Sequence, residues 1–293
     1  MKTLFAALAC LFSLHAGATI TVLDDDGNAV TVTKPALRVI AMAPHVTELL
    51  FAAGGSERII GAVSYSDYPE AAKKLPHIGS NRQIDMERVI AMKPDLIVVW
   101  MHGSSERQID QLRELGIPIF HSEPRRLDDI AGSLVKLGKL MGTETVANAA
   151  AAELRQKLAS LTSQYANRPP VRLFYQVWDK PLYTLNGSHI VSDAVRLCGG
   201  VNIFDKMRVT APVVSVEAVL QEDPEAIFSS AERSETDGGV NLWKPFPSMT
   251  AVKRGNLFRI DGNLLNRSGP RMIAGTAAMC EKLDQARQHR KTP

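Results

Sequence analysis

The residues best suited to chemistry stand at the ends of short apolar runs. Residues 59–64 run into Tyr65, 95–99 into Trp100, 171–177 into Trp178, and 256–260 into Asp261-Gly262-Asn263. Three of these four ends carry an aromatic ring although aromatic residues make up only 6% of the chain, so the clustering is not a matter of composition. In open α/β sheets ligands bind beyond the carboxyl ends of the strands. Such an arrangement points to a broad ligand held between apolar faces with a few polar contacts. Signatures of covalent or hydrolytic chemistry are missing: there is no G-x-S-x-G elbow, H-E-x-x-H, P-loop or G-x-G-x-x-G. His45, His77, His102, His121, His189 and His289 are widely spread, and no metal site is assigned to them. His45 follows Pro44 at a strand-to-helix turn and reads as a helix-start residue rather than a metal ligand. The reading is a binding protein without catalytic residues, not an enzyme, and no cofactor is expected.

The elements that must position these residues follow a βα repeat. Apolar runs at 38–42, 59–63, 95–100 and 118–121 alternate with helical stretches at 46–53, 86–92 and 105–115, which implies a parallel sheet covered by helices. A second set starts at 171–177 and continues through helices at 190–197 and 216–220. Strands at 226–229 and 256–260 follow, and a helix at 270–287 closes it. The fold class expected is therefore α/β with two Rossmann-like lobes. Between them, Val146, Ala150, Leu154, Leu158, Leu161 and Tyr165 recur at spacings of three or four, one apolar stripe on a single helix over 143–167. Arg168-Pro169-Pro170 stops it. A helix of about 25 residues spans roughly 37 Å, enough to bridge two lobes stiffly. The domains expected are a leader over 1–18, a first lobe over 19–141, an interlobe helix over 142–168 and a second lobe over 169–293. Ahead of the repeat, residues 19–33 alternate apolar and polar around Asp26-Gly27-Asn28, a β-hairpin with turn chemistry at its tip rather than a calcium loop.

Composition agrees. With 293 residues, 45% apolar and 22% charged, and a mean hydropathy of -0.05, the chain is long enough for two globular domains. It is too polar for a polytopic membrane protein and too apolar for disorder. A net charge of +3 demands no nucleic acid partner, and the basic residues Arg287, Arg290 and Lys291 read as a frayed, solvated end. Met1-Lys2-Thr3, an apolar run over 4–14 and Ala16-Gly17-Ala18 read as a cleaved secretory signal with the cut near Ala18, hence an exported mature chain. Loss of Cys10 with that leader leaves Cys198 and Cys280 in an oxidising compartment, where an even count favours a disulfide over two buried thiols.

The run Ser64-Tyr65-Ser66-Asp67-Tyr68-Pro69 resembles the periplasmic cobalamin-binding proteins of ABC importers. So do Met86-Glu87-Arg88, the 91–96 segment, Trp100, Glu106-Arg107-Gln108, the segment 197–204 and Arg267-Ser268-Gly269-Pro270-Arg271. The resemblance covers most of the mature chain and implies the two-lobed binding-protein fold with one long rigid helix (class III). It implies a monomer that captures cobalamin, or a related corrinoid, between its lobes and delivers it to the permease dimer of an inner-membrane ABC transporter. By that resemblance Tyr65 and Trp100 line the cleft from the first lobe, and Trp178 with the 263–267 segment, including Asn263 and Arg267, from the second. Arg82 and Ala211 stand where the best-known member has tryptophans, and Asn263 where it has an aspartate, with Asp261 two positions earlier; Arg82 and Asp261 are kept as ligand candidates. Glu87 and Glu217 match the glutamates that dock such carriers, one lobe to each transporter subunit. A haem or ferric-siderophore carrier of the same fold is the alternative, with a secreted α/β hydrolase more remote.

Overall fold

The computed structural model describes residues 19–230 and 239–290; the expected leader and Lys291 lie outside the described residues. β1 (Ile20–Leu23) and β2 (Ala29–Val32) form the expected antiparallel hairpin. Asp24 Oδ1 accepts from the backbone N–H groups of Asp26 and Asn28 at 3.0 and 2.8 Å, so this carboxylate closes a turn. The hairpin leads into β3 (Val39–Ala41), α1 (Pro44–Ala52) and β4 (Ile59–Ala62). α2 (Met86–Ala91), β5 (Leu96–Val99), α3 (Glu106–Glu114) and β6 (Ile119–His121) complete a four-stranded parallel sheet in the order β4-β3-β5-β6. All four residues of β5 are buried, as the middle of a sheet covered on both faces requires.

Two helices then run together. α4 (Leu127–Met141) was not anticipated, because its interior contains Gly132 and Gly138, which weaken a helix reading of the sequence. Gly138 has a packing role: a Cβ there would lie 2.2 Å from Cβ of Ala147, so the glycine lets the next helix approach. Gly142, with φ 65°, ends α4 in the left-handed conformation that turns the chain back. α5 (Glu144–Tyr165) has 22 residues, roughly 33 Å of helix. The expected stripe holds in its C-terminal half and fails at its start. Val146 is 53% exposed, whereas Ala147 and Ala151 are buried, because close approach to α4 selects small side chains over the larger valine.

The second lobe repeats the first. β7 (Val171–Gln176) is followed by the short hairpin β8 (Trp178–Asp179) and β9 (Leu182–Tyr183), then α6 (Ile190–Leu197), β10 (Gly200–Asn202) and α7 (Val216–Glu222). β11 (Ala226–Ser229), α8 (Thr250–Lys253), β12 (Leu257–Arg259), α9 (Gly262–Leu265) and α10 (Met272–His289) complete it. Its sheet, β10-β7-β11-β12, is also parallel and has the same order of entry as the first: first strand inside, second to one side, third to the other. One apolar cluster runs from Leu134 and Leu137 of α4 through Ala151 and Leu154 of α5 to Val191, Leu173 and Leu283 of the second lobe. α5 is therefore embedded in a core common to both lobes.

Cys198, at the end of α6, is bonded to Cys280 of α10, with Cα atoms 4.7 Å apart, as the even cysteine count anticipated. The basic end is not a solvated tail. Arg287 is 8% exposed and donates to the carbonyls of Pro169 and Cys198 at 2.7 and 2.6 Å. Arg290 forms two 2.7 Å hydrogen bonds with Glu225. Their partners are carbonyls and a carboxylate far away in sequence, which composition cannot reveal.

Candidate functional site

In each sheet the chain reverses its direction of growth at the first strand, and the crevice beyond the carboxyl ends at that point is where α/β sheets bind ligands. In the first lobe these ends deliver His45 after β3, Tyr65 after β4 and Trp100 after β5; in the second they deliver Trp178 after β7 and Asp261 after β12.

Tyr65 is 78% exposed and has φ 65°, a left-handed conformation unusual for a bulky residue. Trp100 is half-buried, with its ring edge-on to the His45 imidazole at 5.8 Å between centroids. Gly103 permits this placement, since a Cβ there would fall 1.9 Å from the indole. The neighbouring loop carries Arg82, exposed in the turn at 80–83, and Asn81 Nδ2 donates to the Gly103 carbonyl at 2.5 Å. Arg82 is thereby held beside the Trp100 loop. Trp178 is 44% exposed and donates its indole N–H to the Lys180 carbonyl at 3.1 Å.

The segments that follow β3 and β12 carry polar side chains. Asp261 caps α9 by accepting from the Asn263 backbone N–H at 2.9 Å, so its carboxylate is already engaged. Asn263 Oδ1 is buried without a hydrogen-bond partner, as is His45 Nε2. Burial holds the His45 pKa at about 4, with the Arg267 charge acting in the same direction and a backbone hydrogen bond with Ser122 opposing it, so the imidazole is neutral at physiological pH. Buried polar atoms left unpaired cost free energy, and such atoms recur at binding sites. The loop bearing Arg267 is fixed from below: the Tyr175 hydroxyl donates to Asn266 Oδ1 at 2.9 Å, and Asn266 Nδ2 donates to Ser230 Oγ at 3.0 Å.

Arg267 crosses from the second lobe to the first, where Nη1 donates to Asp67 Oδ1 at 2.6 Å and meets Glu48 Oε1 at 3.5 Å. One turn on, Arg271 binds the same Glu48 through Nε at 3.0 Å and Nη2 at 2.6 Å. The Tyr68 ring lies under the Arg271 guanidinium at 4.0 Å. Glu48, only 2% exposed in its side chain, and Asp67 were not among the residues expected at the site. Partial burial raises the Asp67 carboxyl, but the Arg267 hydrogen bond and charge outweigh it and hold the group below its ordinary range. Glu87 and Glu217 are exposed in the first turns of α2 and α7.

A cavity of about 850 Å³ opens elsewhere, among Phe51, Leu134, Leu154, Leu161, Ile273 and Arg271. It touches none of the aromatic strand ends. The Glu48–Arg271 pair borders the cavity.

Two α/β lobes of like topology, joined by one embedded helix and with aromatic residues following three of their strands, have the architecture of a helix-linked two-lobe binding protein. The chain belongs to the periplasmic binding protein family, whose model matches residues 39–264. It is 39% identical over 250 residues to a vitamin B12-binding protein of Yersinia pestis, covering 85% of this chain and 87% of that one. The periplasmic vitamin B12-binding protein BtuF of Vibrio cholerae superposes with a TM-score of 0.80 at 36% identity, covering 86% of this chain and 98% of that one. The periplasmic haem-binding protein RhuT of Roseiflexus sp. RS-1, 20% identical with a TM-score of 0.75 over 85% and 98% of the two chains, shares the fold.

Proposed function

We propose that this periplasmic protein captures cobalamin or a related corrinoid in the crevice between its lobes and carries it to an ABC transporter. The observation that carries this reading is the set of aromatic strand ends, Tyr65, Trp100 and Trp178, over a base of neutral or charge-balanced polar groups. The 39% identity to a vitamin B12-binding protein supports it. A corrinoid is a wide, largely apolar ring with peripheral amides; rings take its faces, while Asn263, Arg267 and Arg82 supply hydrogen bonds to its edge. The corrinoid is cargo and undergoes no reaction here. On export the leader is cut near Ala18. On delivery Glu87 and Glu217, one per lobe, each meet a basic pocket on one permease subunit, an arrangement suited to a monomeric carrier on a symmetric dimer.

Absorbance spectra of the purified protein after incubation with cyanocobalamin, haemin or a ferric siderophore, followed by removal of free ligand, test the reading. Retention of cyanocobalamin alone is expected. Retention of haemin or the siderophore in its place would reassign the cargo.

A further inference from the structure

The Ser64–Pro69 run does more than present Tyr65. Ser66 Oγ accepts from Thr47 Oγ1 at 2.9 Å, which ties the run to α1 beside Glu48. Asp67 then takes Arg267, and Tyr68 lies against Arg271. Two guanidinium groups from the second lobe thus meet two carboxylates from the first, Glu48 and Asp67, and their formal charges cancel. The imidazole next to them, His45, is uncharged, and Asn263 offers a neutral amide. This cluster at the joint between the lobes is therefore rich in hydrogen-bonding groups but carries no net charge.

We infer that Asp67 is a specificity-determining residue: by neutralising and orienting Arg267 it makes this cluster select side-chain amides over carboxylates. This rests on the corrinoid reading above and names which chemical form of the ligand edge is accepted. An amide oxygen accepts from the guanidinium N–H groups left free by Asp67, and its N–H donates to the half-exposed Asp67 carboxylate, of which Oδ1 takes Arg267. A carboxylate has no N–H to offer Asp67 and gains little from an arginine whose charge is already compensated. It must also approach two carboxylates, one of which, Asp67, is 49% exposed in its side chain. Amidated corrinoids are then favoured over their carboxylic precursors, and over a propionate-bearing tetrapyrrole.

The test compares cyanocobalamin with its isomeric monocarboxylic acids, in which one side-chain amide is replaced by a carboxylate, as ligands of the full mature chain at fixed ionic strength. Asp67→Asn removes one partly exposed carboxylate and leaves a formal charge of +1 in the cluster. For at least one acid, the ratio of its dissociation constant to that of cyanocobalamin falls about fivefold in this variant, the size expected for one partly screened charge. A merely structural role for Asp67 would weaken all ligands alike and leave the ratios unmoved. Ratios unchanged within twofold for every acid would overturn the inference. Failure of the parent protein to bind cyanocobalamin would instead overturn the corrinoid reading on which it rests.

Discussion

Glu48→Ala probes the joint between the lobes. The carboxylate is 2% exposed, receives two hydrogen bonds from Arg271 and lies 3.5 Å from Arg267, whose side chains are 21% and 13% exposed. Removing it strands Arg271 in the interlobe contact, while Arg267 keeps Asp67. Breaking a buried pair by deleting one partner costs about 3–5 kcal/mol. Because Arg271 is partly open to water, the lower end, about 3 kcal/mol, applies, equivalent to a fall in Tm of roughly 6–12 °C for a chain in this size range. Urea and thermal unfolding followed by circular dichroism read this directly. Glu48→Gln, which keeps an acceptor of similar shape, should lose less, and the Glu48→Ala/Arg271→Ala pair should be more stable than the sum of its single losses. A loss under about 1 kcal/mol for Glu48→Ala, or strict additivity in the pair, would refute the reasoning.

Thiol labelling of the denatured, unreduced protein should find no free cysteine, and reduction should destabilise by ~4.5 kcal/mol in the chain-entropy model for a separation of 82 residues; two labelled thiols would reject the bond. Burial lowers the pKa of both His45 and His189 to about 4, so below pH 6.5 the unfolded chain takes up protons that the folded chain refuses. Stability should fall as pH drops from about 6.5 to 4, by at most ~1.4 kcal/mol per pH unit per histidine. His189→Asn, which retains a cap for Val191 N–H, should flatten that slope, and an unchanged slope would count against His189 as its source. Glu87→Ala and Glu217→Ala should each leave corrinoid affinity intact and reduce transporter binding and uptake, the double variant most; normal uptake by the double variant would leave both as helix-start residues.

The lobes and the aromatic strand ends were legible because strand-to-loop transitions and helix periodicity are local signals. The Ser64–Pro69 run was legible as a motif, but the partners of Asp67 and Tyr68 were not, since they lie about 200 residues away on the other lobe. Glu48 gave no signal at all: within α1 it resembles any helical glutamate, and only folding brings it against Arg271, 223 residues on. Arg287 and Arg290 were misread for the same reason. α4 was hidden by glycines whose purpose, the tight crossing with α5, is visible only in three dimensions.

Titration calorimetry of the mature protein with cyanocobalamin tests the central claim most directly. One site per chain is expected, with Tyr65→Ala and Trp178→Ala each weakening binding several-fold through loss of stacking contacts of ~1 kcal/mol or more. Absence of any binding by the parent protein, or unchanged affinity in both variants, would contradict it.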